Sequence, residues 1–445
     1  MAGYSRRSFL KVSGTALGGI ALGSTVTAAA SSERFLVDAK KVSASEAESA
    51  GLEVVHDVSE IDLLVVSGEE SDVESLGSAY AADSVYSLDL PVGEDAPVTA
   101  EEDATDEPGY GIQWDKQVQN VPEAHEVTRG EDTRVAIVDS GVAAGHPDLE
   151  HAVNTDLSRD FTGDGYGAGG PYGGYHGTHV AGIVAADDRN DEGVVGTAPA
   201  TEIVDCRVFS PTGGASFADI VAAIVYSASI GCDAANMSLG AYPVARQGQG
   251  SFYGKVLNRA TTYANSQGTL LVASAGNDAA DLQHDSDVIS LPNEAANVLS
   301  VSATGPIGFN WGDEGLESPE YTPSVYTNYG TNEIDVAAPG GNYDPEAAED
   351  GVPGYYYDLV YNTLAEPVFD DDGSYLGAAY SYGWLAGTSM AAPQVAGAAA
   401  LVAAQNPKYN ANQVRQALKN SADTVEEFDK TYYGAGFLNP VDALE

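Results

Sequence analysis

Gly-Thr-Ser-Met-Ala-Ala-Pro at positions 387–393 opens a run of small and apolar residues that continues to Ala404 and predicts a buried helix. Ser389 would lie at the N-terminus of that helix, where unpaired N–H groups and the helix dipole favour a developing negative charge. Pro393 is compatible with the helix because the first turn has no amide partners to lose. On its own, the stretch fits either an activated nucleophile or a serine that caps a buried helix.

Three other stretches place polar side chains next to predicted buried elements. One apolar run predicts a parallel strand that ends at Asp139, and another is followed by Asn277. His176 follows a Gly-rich loop and enters a helix of Ala, Gly and Val. Each residue taken singly also fits a capping or turn position. His176 and His179 do not indicate a zinc site, because no Glu follows the first histidine.

Together, Asp139, His176, Asn277 and Ser389 supply the side chains that acyl transfer through a serine requires. An imidazole titrates near neutral pH and can take the proton of a hydroxyl. A carboxylate fixes the tautomer of the imidazole and stabilises the imidazolium. The amide of Asn277 and the backbone N–H of Ser389 can donate to the tetrahedral oxyanion. The order Asp, His, Ser along the chain is the order found in subtilisin.

Four segments of the chain resemble the sequence blocks of the subtilisin-like serine proteases (subtilases). They are Asp-Ser-Gly at 139–141, His-Gly-Thr-His-Val-Ala-Gly at 176–182, Ser-Ala-Gly-Asn at 274–277 and the block at 387–393. The resemblance spans about residues 106–445, and the chain also resembles the halolysin-type secreted proteases of halophiles. It implies that Asp139 orients the base His176, that Ser389 is the nucleophile and that Asn277 stabilises the oxyanion. Ala392 and Gln394 depart from the usual residues without affecting a catalytic role.

Apolar strands alternate with Ala-rich helices through most of the chain, which predicts an α/β fold with a parallel sheet covered by helices on both faces. We expect strands at 134–138, 202–208, 233–237, 269–273, 297–303 and 334–337, and helices at 121–127, 176–186, 216–229, 252–266, 389–404 and 411–420. Such a sheet would bring the candidate catalytic groups to the carboxyl ends of the strands.

The N-terminal part of the chain divides into three predicted segments. Residues 1–30 carry a twin-arginine sequence and a short apolar run, and predict an export signal and not a membrane anchor. Residues 31–92 follow a βαββαβ pattern typical of a ferredoxin-like α+β module. The resemblance implies an inhibitory propeptide, and an independent binding domain is the alternative. Residues 93–108 form an acidic, Pro-rich linker, in which we expect processing between about 98 and 109.

The remainder, 109–445, is the predicted catalytic domain. Residues 341–382 resemble an insertion that holds eight tyrosines, and so much aromatic surface predicts a folded flap beside the active site. The resemblance also implies a substrate strand and an apolar pocket before the scissile bond. The residues implied are Ser238, Leu239, Gly240, Ala273, Ser274, Ala275 and Ser290. The implied partners are protein and peptide substrates and the chain's own propeptide, which would act as an intramolecular inhibitor.

Calcium (Ca²⁺) is the cofactor that the resemblance implies. The ligands would come from Asp148 and from a loop containing Asp188, Asn190, Glu192 and Val194, because carboxylate, amide and carbonyl oxygens suit this ion. The alternative is that the acidic loop is only solvated surface.

The chain carries 66 acidic and 19 basic residues, for a net charge of −47. This excludes a nucleic-acid-binding protein, since phosphate contacts need Lys and Arg. The acidic residues are spread along the whole chain and indicate a protein adapted to high salt, and an ordinary acidic secreted enzyme is the alternative. The two cysteines, Cys206 and Cys232, permit one disulfide or two buried thiols.

These features predict a secreted, monomeric serine endopeptidase that is made as an autoprocessed zymogen and has no membrane anchor. A catalytically inactive subtilase used for binding is disfavoured, because all four catalytic residues are present. Broad protein digestion and dedicated processing of few targets remain open.

Overall fold

The computed structural model describes residues 29–86, 93–95, 107–211, 214–247, 249–284, 287–308, 318–370, 372–425 and 429–445. Residues 1–28 of the predicted export signal and most of the predicted linker lie outside these residues, and the last two residues of the predicted signal, Ala29 and Ala30, are described.

The first described unit is an antiparallel sheet carrying two short helices. It comprises β1 (Ala29–Asp38), α1 (Ala44–Ser49), β2 (Glu53–Val58), β3 (Leu63–Ser67), α2 (Glu70–Ser75) and β4 (Tyr80–Tyr86), with a 3-10 turn at Ser59–Ile61. The strand order is β2-β3-β1-β4, which matches the predicted βαββαβ pattern. Alternate residues of a strand face opposite sides. Phe35 and Val37 therefore pack in the unit's own core, and Leu36 packs in a core shared with the rest of the chain.

A seven-stranded parallel sheet forms the centre of the molecule, with the order β15-β14-β12-β10-β6-β8-β7. Its strands are β6 (Arg134–Asp139), β7 (Arg159–Asp160), β8 (Glu202–Arg207), β10 (Ala234–Met237), β12 (Leu270–Ser274), β14 (Val298–Thr304) and β15 (Val336–Pro339). Along β6, Val135 and Ile137 belong to one hydrophobic core, and Ala136 and Val138 belong to the other. Both faces of the sheet are therefore covered, and the predicted fold class is confirmed.

Helices cover the two faces. They are α3 (Trp114–Val118), α4 (Val121–His125), α5 (His176–Ala185), α6 (Phe217–Ser229), α7 (Gln249–Gln267), α8 (Pro345–Asp350), α9 (Thr388–Gln405), α10 (Ala411–Ser421) and α11 (Lys430–Tyr433), with 3-10 turns at Tyr110–Ile112, Tyr355–Asp358 and Asp442–Leu444. Helices α5, α9 and α10 pack on one face, and α6 and α7 pack on the other. Among the described residues, no helix has both the length and the apolar character needed to span a bilayer.

Shorter strands complete the fold. They are β9 (Ala215–Ser216), which pairs with β4; the pair β11 (Ala241–Ala245) and β13 (Val288–Leu291); and a long hairpin of β16 (Val360–Phe369) and β17 (Tyr375–Leu385), to which β5 (Gly93–Asp95) adds a third strand. The segment 341–382, predicted to fold as a flap, contains α8 and most of this hairpin. Cys206 and Cys232 are both buried free thiols.

Candidate active site

The four candidate catalytic residues lie where strands of the central sheet end and helices begin. Asp139 is the last residue of β6, and Asn277 follows β12. His176 is the first residue of α5, and Ser389 is the second residue of α9. Carboxyl ends of neighbouring parallel strands share one edge of a sheet, which is where open α/β sheets bind ligands.

Asp139 and His176 form a buried pair. The Nδ1 atom of His176 lies 2.8 Å from Oδ1 of Asp139, and both side chains are inaccessible to solvent. The Ser140 backbone N–H donates to the same carboxylate oxygen at 2.7 Å. The Ser140 hydroxyl also accepts from the Gly177 N–H at 2.9 Å, which ties the start of α5 to the end of β6. The carboxylate therefore keeps the proton on Nδ1 and leaves Nε2 of His176 as the basic atom.

Ser389 is close to the cleft but is not hydrogen-bonded to the histidine. Its hydroxyl donates to the carbonyl oxygen of Ser238 at 3.3 Å. Nε2 of His176 is buried and has no hydrogen-bond partner among the described residues. Hydrogen bonds of this kind are often absent without substrate and form in the complex. A rotation of the Ser389 side chain is the step that would join the nucleophile to the base.

Asn277 is oriented by the residue that precedes the nucleophile. Its Oδ1 accepts from the backbone N–H of Thr388 at 2.9 Å and from the Thr388 hydroxyl at 2.8 Å. A backbone N–H can only donate, so the amide oxygen must face Thr388, and the NH₂ group is the part of Asn277 available to a ligand. Thr388 was not identified as a site residue from the sequence.

A cleft of about 830 Å³, partly open to solvent, contains Ser389, Asn277 and Thr388 in its lining. The predicted substrate-binding residues that line it are Ser238, Leu239, Gly240, Ser274 and Ser290. Ala273 and Ala275 are fully buried and do not line the cleft. Ala273 precedes Ser274 on β12, and Ala275 follows Ser274 just after the strand. Because alternate side chains of a strand point to opposite faces, the two alanines face away from the side of Ser274. The structure therefore does not bring these two side chains to the cleft surface.

Most side chains that line the apolar part of the cleft were not identified from the sequence. This part is lined by Phe209, Phe217, Ile220, Leu257, Leu291 and Pro292, and by Tyr86 at the end of β4. Tyr86 pairs with Ala215, and Val85 pairs with Ser216, so β4 lies antiparallel to β9.

Polar contacts also join the N-terminal unit to α6 and α7. Asp219 accepts from Arg34 at 2.6 Å and lies 2.8 Å from Nε2 of His56. The hydroxyls of Ser84 and Tyr253 are 2.7 Å apart. The unit therefore places the end of its last strand in the cleft.

The loop that leads into His176 is held by two buried residues of β8. Arg207 contacts Asp164 at 2.6 Å and donates to the Gly167 carbonyl oxygen at 2.8 Å. Asp205 accepts from the Gly169 N–H at 2.8 Å, and burial raises its pKa to about 7. Since β8 is the sheet neighbour of β6, these contacts fix the loop beside Asp139. In the sequence, the feature that could have indicated this role is the presence of two charged residues, Asp205 and Arg207, inside a predicted apolar strand.

His179 takes no part in the triad. It is buried, Nε2 lies 3.3 Å from the Gly383 carbonyl oxygen, and burial lowers its pKa to about 3. Its role is therefore to pack α5 against β17 as a neutral ring.

The implied calcium ligands are only partly brought together. Oδ1 of Asp148 accepts from the Asn190 amide at 2.8 Å, and Oδ2 accepts from the Val194 N–H at 3.0 Å. Glu107, which sequence analysis missed, accepts from the Asp191 N–H at 3.3 Å. Burial raises the pKa of both carboxyls, Asp148 and Glu107, to about 7.

Two of the implied ligands have other positions. The Asp188 carboxylate accepts from Arg129 at 3.0 Å and lies 3.4 Å from His125, so its side chain is not part of the group. This ion pair, together with His125, holds the pKa of Asp188 well below its usual range against the effect of burial. The Glu192 side chain is exposed. Within the described part of the chain, no three or more His, Cys, Asp or Glu side chains cluster as a metal site would require.

Comparisons with known proteins agree with this geometry. The chain is 29% identical to an alkaline protease of Shouchella clausii over 89% of this chain and 82% of that protein. It is 31% identical to a thermophilic serine proteinase of Bacillus sp. (strain AK1) over 75% of this chain and 67% of the relative. The crystal structure of the epidermin leader peptide processing serine protease of Staphylococcus aureus matches with a TM-score of 0.70. That match covers 93% of this chain and 97% of the other, and at 21% identity it shows the fold alone.

The model of the subtilase family matches residues 130–436, a span that contains Asp139, His176, Asn277 and Ser389. This span is well over half of the chain. The chain therefore belongs to the subtilase family of serine endopeptidases.

Proposed function

We propose that the chain hydrolyses peptide bonds with Ser389 as nucleophile, His176 as general base, Asp139 as its orienting carboxylate and Asn277 as an oxyanion donor. The observation that carries this proposal is the 2.8 Å contact between buried Asp139 and Nδ1 of His176, which leaves Nε2 basic. The cleft lined by Ser389 and Asn277 is the place where a peptide carbonyl would lie.

The reaction begins when the Ser389 hydroxyl passes its proton to Nε2 of His176 and its oxygen attacks the carbonyl carbon. The negative charge that develops on the carbonyl oxygen accepts hydrogen bonds from the Asn277 amide and the Ser389 backbone N–H. The imidazolium then gives its proton to the departing amine, and an acyl-enzyme forms. Water repeats the sequence with the same base, which releases the acid and restores Ser389.

The N-terminal unit acts as an inhibitory propeptide. Its last strand pairs with β9, and Tyr86 lines the same cleft as Ser389, so the unit would exclude a substrate from the apolar part of the cleft. The ion pair between Arg34 and Asp219, at 2.6 Å, supports this docked state. Removal of the unit and the linker 93–108 would then release the active enzyme. This gives a zymogen, 31–92 being its propeptide and 109–445 its catalytic domain.

Calcium stabilises the loop that follows α5. The carboxylates of Asp148 and Glu107 come from segments that are far apart in the chain, and both accept hydrogen bonds from this loop, Asp148 from the Asn190 amide and Glu107 from the Asp191 N–H. Carboxylate oxygens of this kind fit Ca²⁺, and the amide oxygen of Asn190 and the carbonyl oxygen of Val194 would be further ligands. When bound, the ion would add a positive charge beside two buried carboxyls and join the loop to the segment before α3.

The enzyme is exported through the twin-arginine pathway and works outside the cell in high salt. The sequence of residues 1–30 supports the export route. The net charge of −47 supports adaptation to salt, since dispersed carboxylates repel one another unless they are screened. The mature enzyme in this proposal is a secreted monomer.

The direct test is Ser389→Ala, which removes the nucleophile and keeps the fold. We expect no hydrolysis of casein or of a chromogenic peptide anilide, and a precursor that stays uncut. Ser266→Ala is the matched control, because it removes an exposed serine of α7 whose hydroxyl donates only to the Tyr263 carbonyl oxygen. Full maturation and casein digestion by Ser389→Ala would show that another group is the nucleophile.

A further inference from the structure

The outer edge of β17 holds a segment of the chain's own linker. One edge of β17 pairs with β16, and at the other edge β5 lies antiparallel, with Leu385 opposite Gly93 and Gly383 opposite Asp95. Leu385 is followed closely by α9, which begins at Thr388 and contains Ser389. The β5–β17 pairing therefore starts beside the nucleophile and runs away from it along the hairpin.

The same stretch of chain contacts both sides of the candidate active site. Tyr86 pairs with Ala215 and lines the apolar part of the cleft, and Gly93 pairs with Leu385 at the base of the hairpin. Residues 87–92 join these two points in the sequence. The chain direction thus runs from the apolar cleft towards β17, which is the order in which a substrate would present its residues before and after the scissile bond.

We propose that the outer edge of β17 binds the polypeptide on the carboxyl side of the scissile bond as an added antiparallel strand. This rests on the proposed protease function and extends it to the leaving side of the substrate. Once the linker is removed, residues Gly383–Leu385 lose their pairing with β5, and a strand edge that has lost its neighbour is a template for another extended chain. β5 shows the register that such a chain would adopt.

The exposed face of the hairpin adds a side-chain preference. Among the described residues, the large apolar side chains with the most exposure include Leu376 at 65%, Tyr380 at 46% and Val368 at 44%, all on this hairpin. Tyr380 lies in the regular part of the hairpin, opposite Ala365, whereas the register shifts at Leu376 near the tip. The ring of Tyr380 also packs against His146, with ring centres 5.5 Å apart, which fixes its position.

Continuing the observed register one residue at a time places Tyr380 opposite the sixth residue of the bound strand, because Leu385 is opposite the first. The enzyme therefore favours long substrates that carry an apolar side chain several positions beyond the scissile bond. Short peptides would use only the apolar cleft and would lack this contribution.

The test uses the mature enzyme and internally quenched peptides that share one sequence before the scissile bond and increase in length after it. We expect kcat/KM to rise by about tenfold or more as the peptide is lengthened. A tenfold rise corresponds to ~1.4 kcal/mol, which is the net contribution expected of a few backbone hydrogen bonds. N-methylation of backbone amides in the extension should remove the gain without shortening the peptide. No dependence on length, or a gain that survives N-methylation at every position, would overturn the proposal.

Variants test the side-chain preference. We expect Tyr380→Ala to reduce the ratio of kcat/KM for long over short peptides several-fold when the extension carries an apolar residue at the sixth position. Tyr409→Ala, which truncates a tyrosine of similar exposure (44%) on another surface, should keep the ratio of the parent enzyme. An equal ratio in both variants would remove Tyr380 from the binding surface. Hydrolysis of a short anilide separates the two proposals: its absence refutes the protease function, and its presence with no length dependence refutes only this inference.

Discussion

A buried ion pair lies beneath the helix that carries the nucleophile. Nζ of Lys116 donates to Gln394 at 2.6 Å, to the Thr197 hydroxyl at 2.7 Å and to the Ile183 carbonyl oxygen at 3.0 Å. The Asp115 carboxylate lies 3.6 Å from Nζ and accepts from the Gln394 amide at 2.7 Å. Both charged side chains are fully inaccessible to solvent. Gln394 thus connects the first turns of α9 to this pair, at a position where the family usually has another residue.

Lys116→Met should destabilise the protein strongly. The change keeps the length of the side chain, but it leaves the Asp115 carboxylate buried without its cation and deprives Gln394 and Thr197 of a donor. Breaking a buried pair by removal of one partner costs about 3–5 kcal/mol. The double variant Asp115→Leu/Lys116→Met removes both charges and should recover a large part of that loss. The coupling between the two sites would then be on the order of 2–3 kcal/mol.

The assay is urea unfolding in molar salt, followed by circular dichroism, with Ser389→Ala present throughout to prevent autolysis. Urea is uncharged and does not change the screening of the acidic surface. Lys408→Met is the control: Lys408 is exposed, so its loss should change the free energy of unfolding by no more than ~0.5 kcal/mol. If Lys116→Met costs no more than the control, the reasoning that this buried pair is mutually dependent is refuted.

The Asp115–Lys116 pair also makes the free energy of unfolding depend on pH. Burial lowers the pKa of Lys116 to about 8, against about 10.4 in the unfolded chain. Between these values the unfolded state holds a proton that the folded state has lost, so this group makes stability rise with pH across that window. We expect the parent to gain stability relative to Lys116→Met as the pH increases from 8 to above 10.

Three further predictions follow from the site, the loop and the charge. Asn277→Ala should lower kcat by about 10²–10³ with little change in KM, the loss that removal of one oxyanion donor causes in subtilisin, as steady-state kinetics would measure. Chelation of calcium should lower the Tm of the parent but not of Asp148→Ala, in a calcium titration by calorimetry. If chelation lowers the Tm of the parent and of Asp148→Ala equally, this loop is excluded as the calcium site. Dilution from molar to ~0.01 M salt lengthens the screening distance from about 3 Å to about 30 Å. It should therefore unfold the protein, and full structure and activity in dilute buffer would refute salt adaptation.

The central strands and long helices were predictable because their patterns are local. Strands buried on both faces, such as β6 and β12, read as continuous apolar runs, and their observed ends fall within a residue or two of the predicted ones. The placement of Asp139 and Asn277 at the site was predictable from these runs, because a polar side chain at the end of a buried strand has few other places to lie.

The features that sequence analysis missed depend on contacts between distant segments. Thr388 orients Asn277 across 111 positions of sequence, and no periodicity encodes that contact. Asp188 was assigned to a calcium loop because the loop resembles that of the family, yet Arg129, 59 positions away, donates to its carboxylate. In a chain with so many acidic residues, composition alone could not separate a ligand from one half of an ion pair.

The aromatic residues of the β16–β17 hairpin pack against the loop before His176. The Tyr166 hydroxyl donates to the Gly373 carbonyl oxygen at 2.6 Å, and its ring lies 5.4 Å from that of Phe369. One segment leads into the base and the other leads into the nucleophile, so their tips brace each other beyond the active site. The contact therefore links the segment before the base to the segment before the nucleophile. Aromatic pairs are suited to such a brace, because they pack closely without charge and keep their contact in high salt.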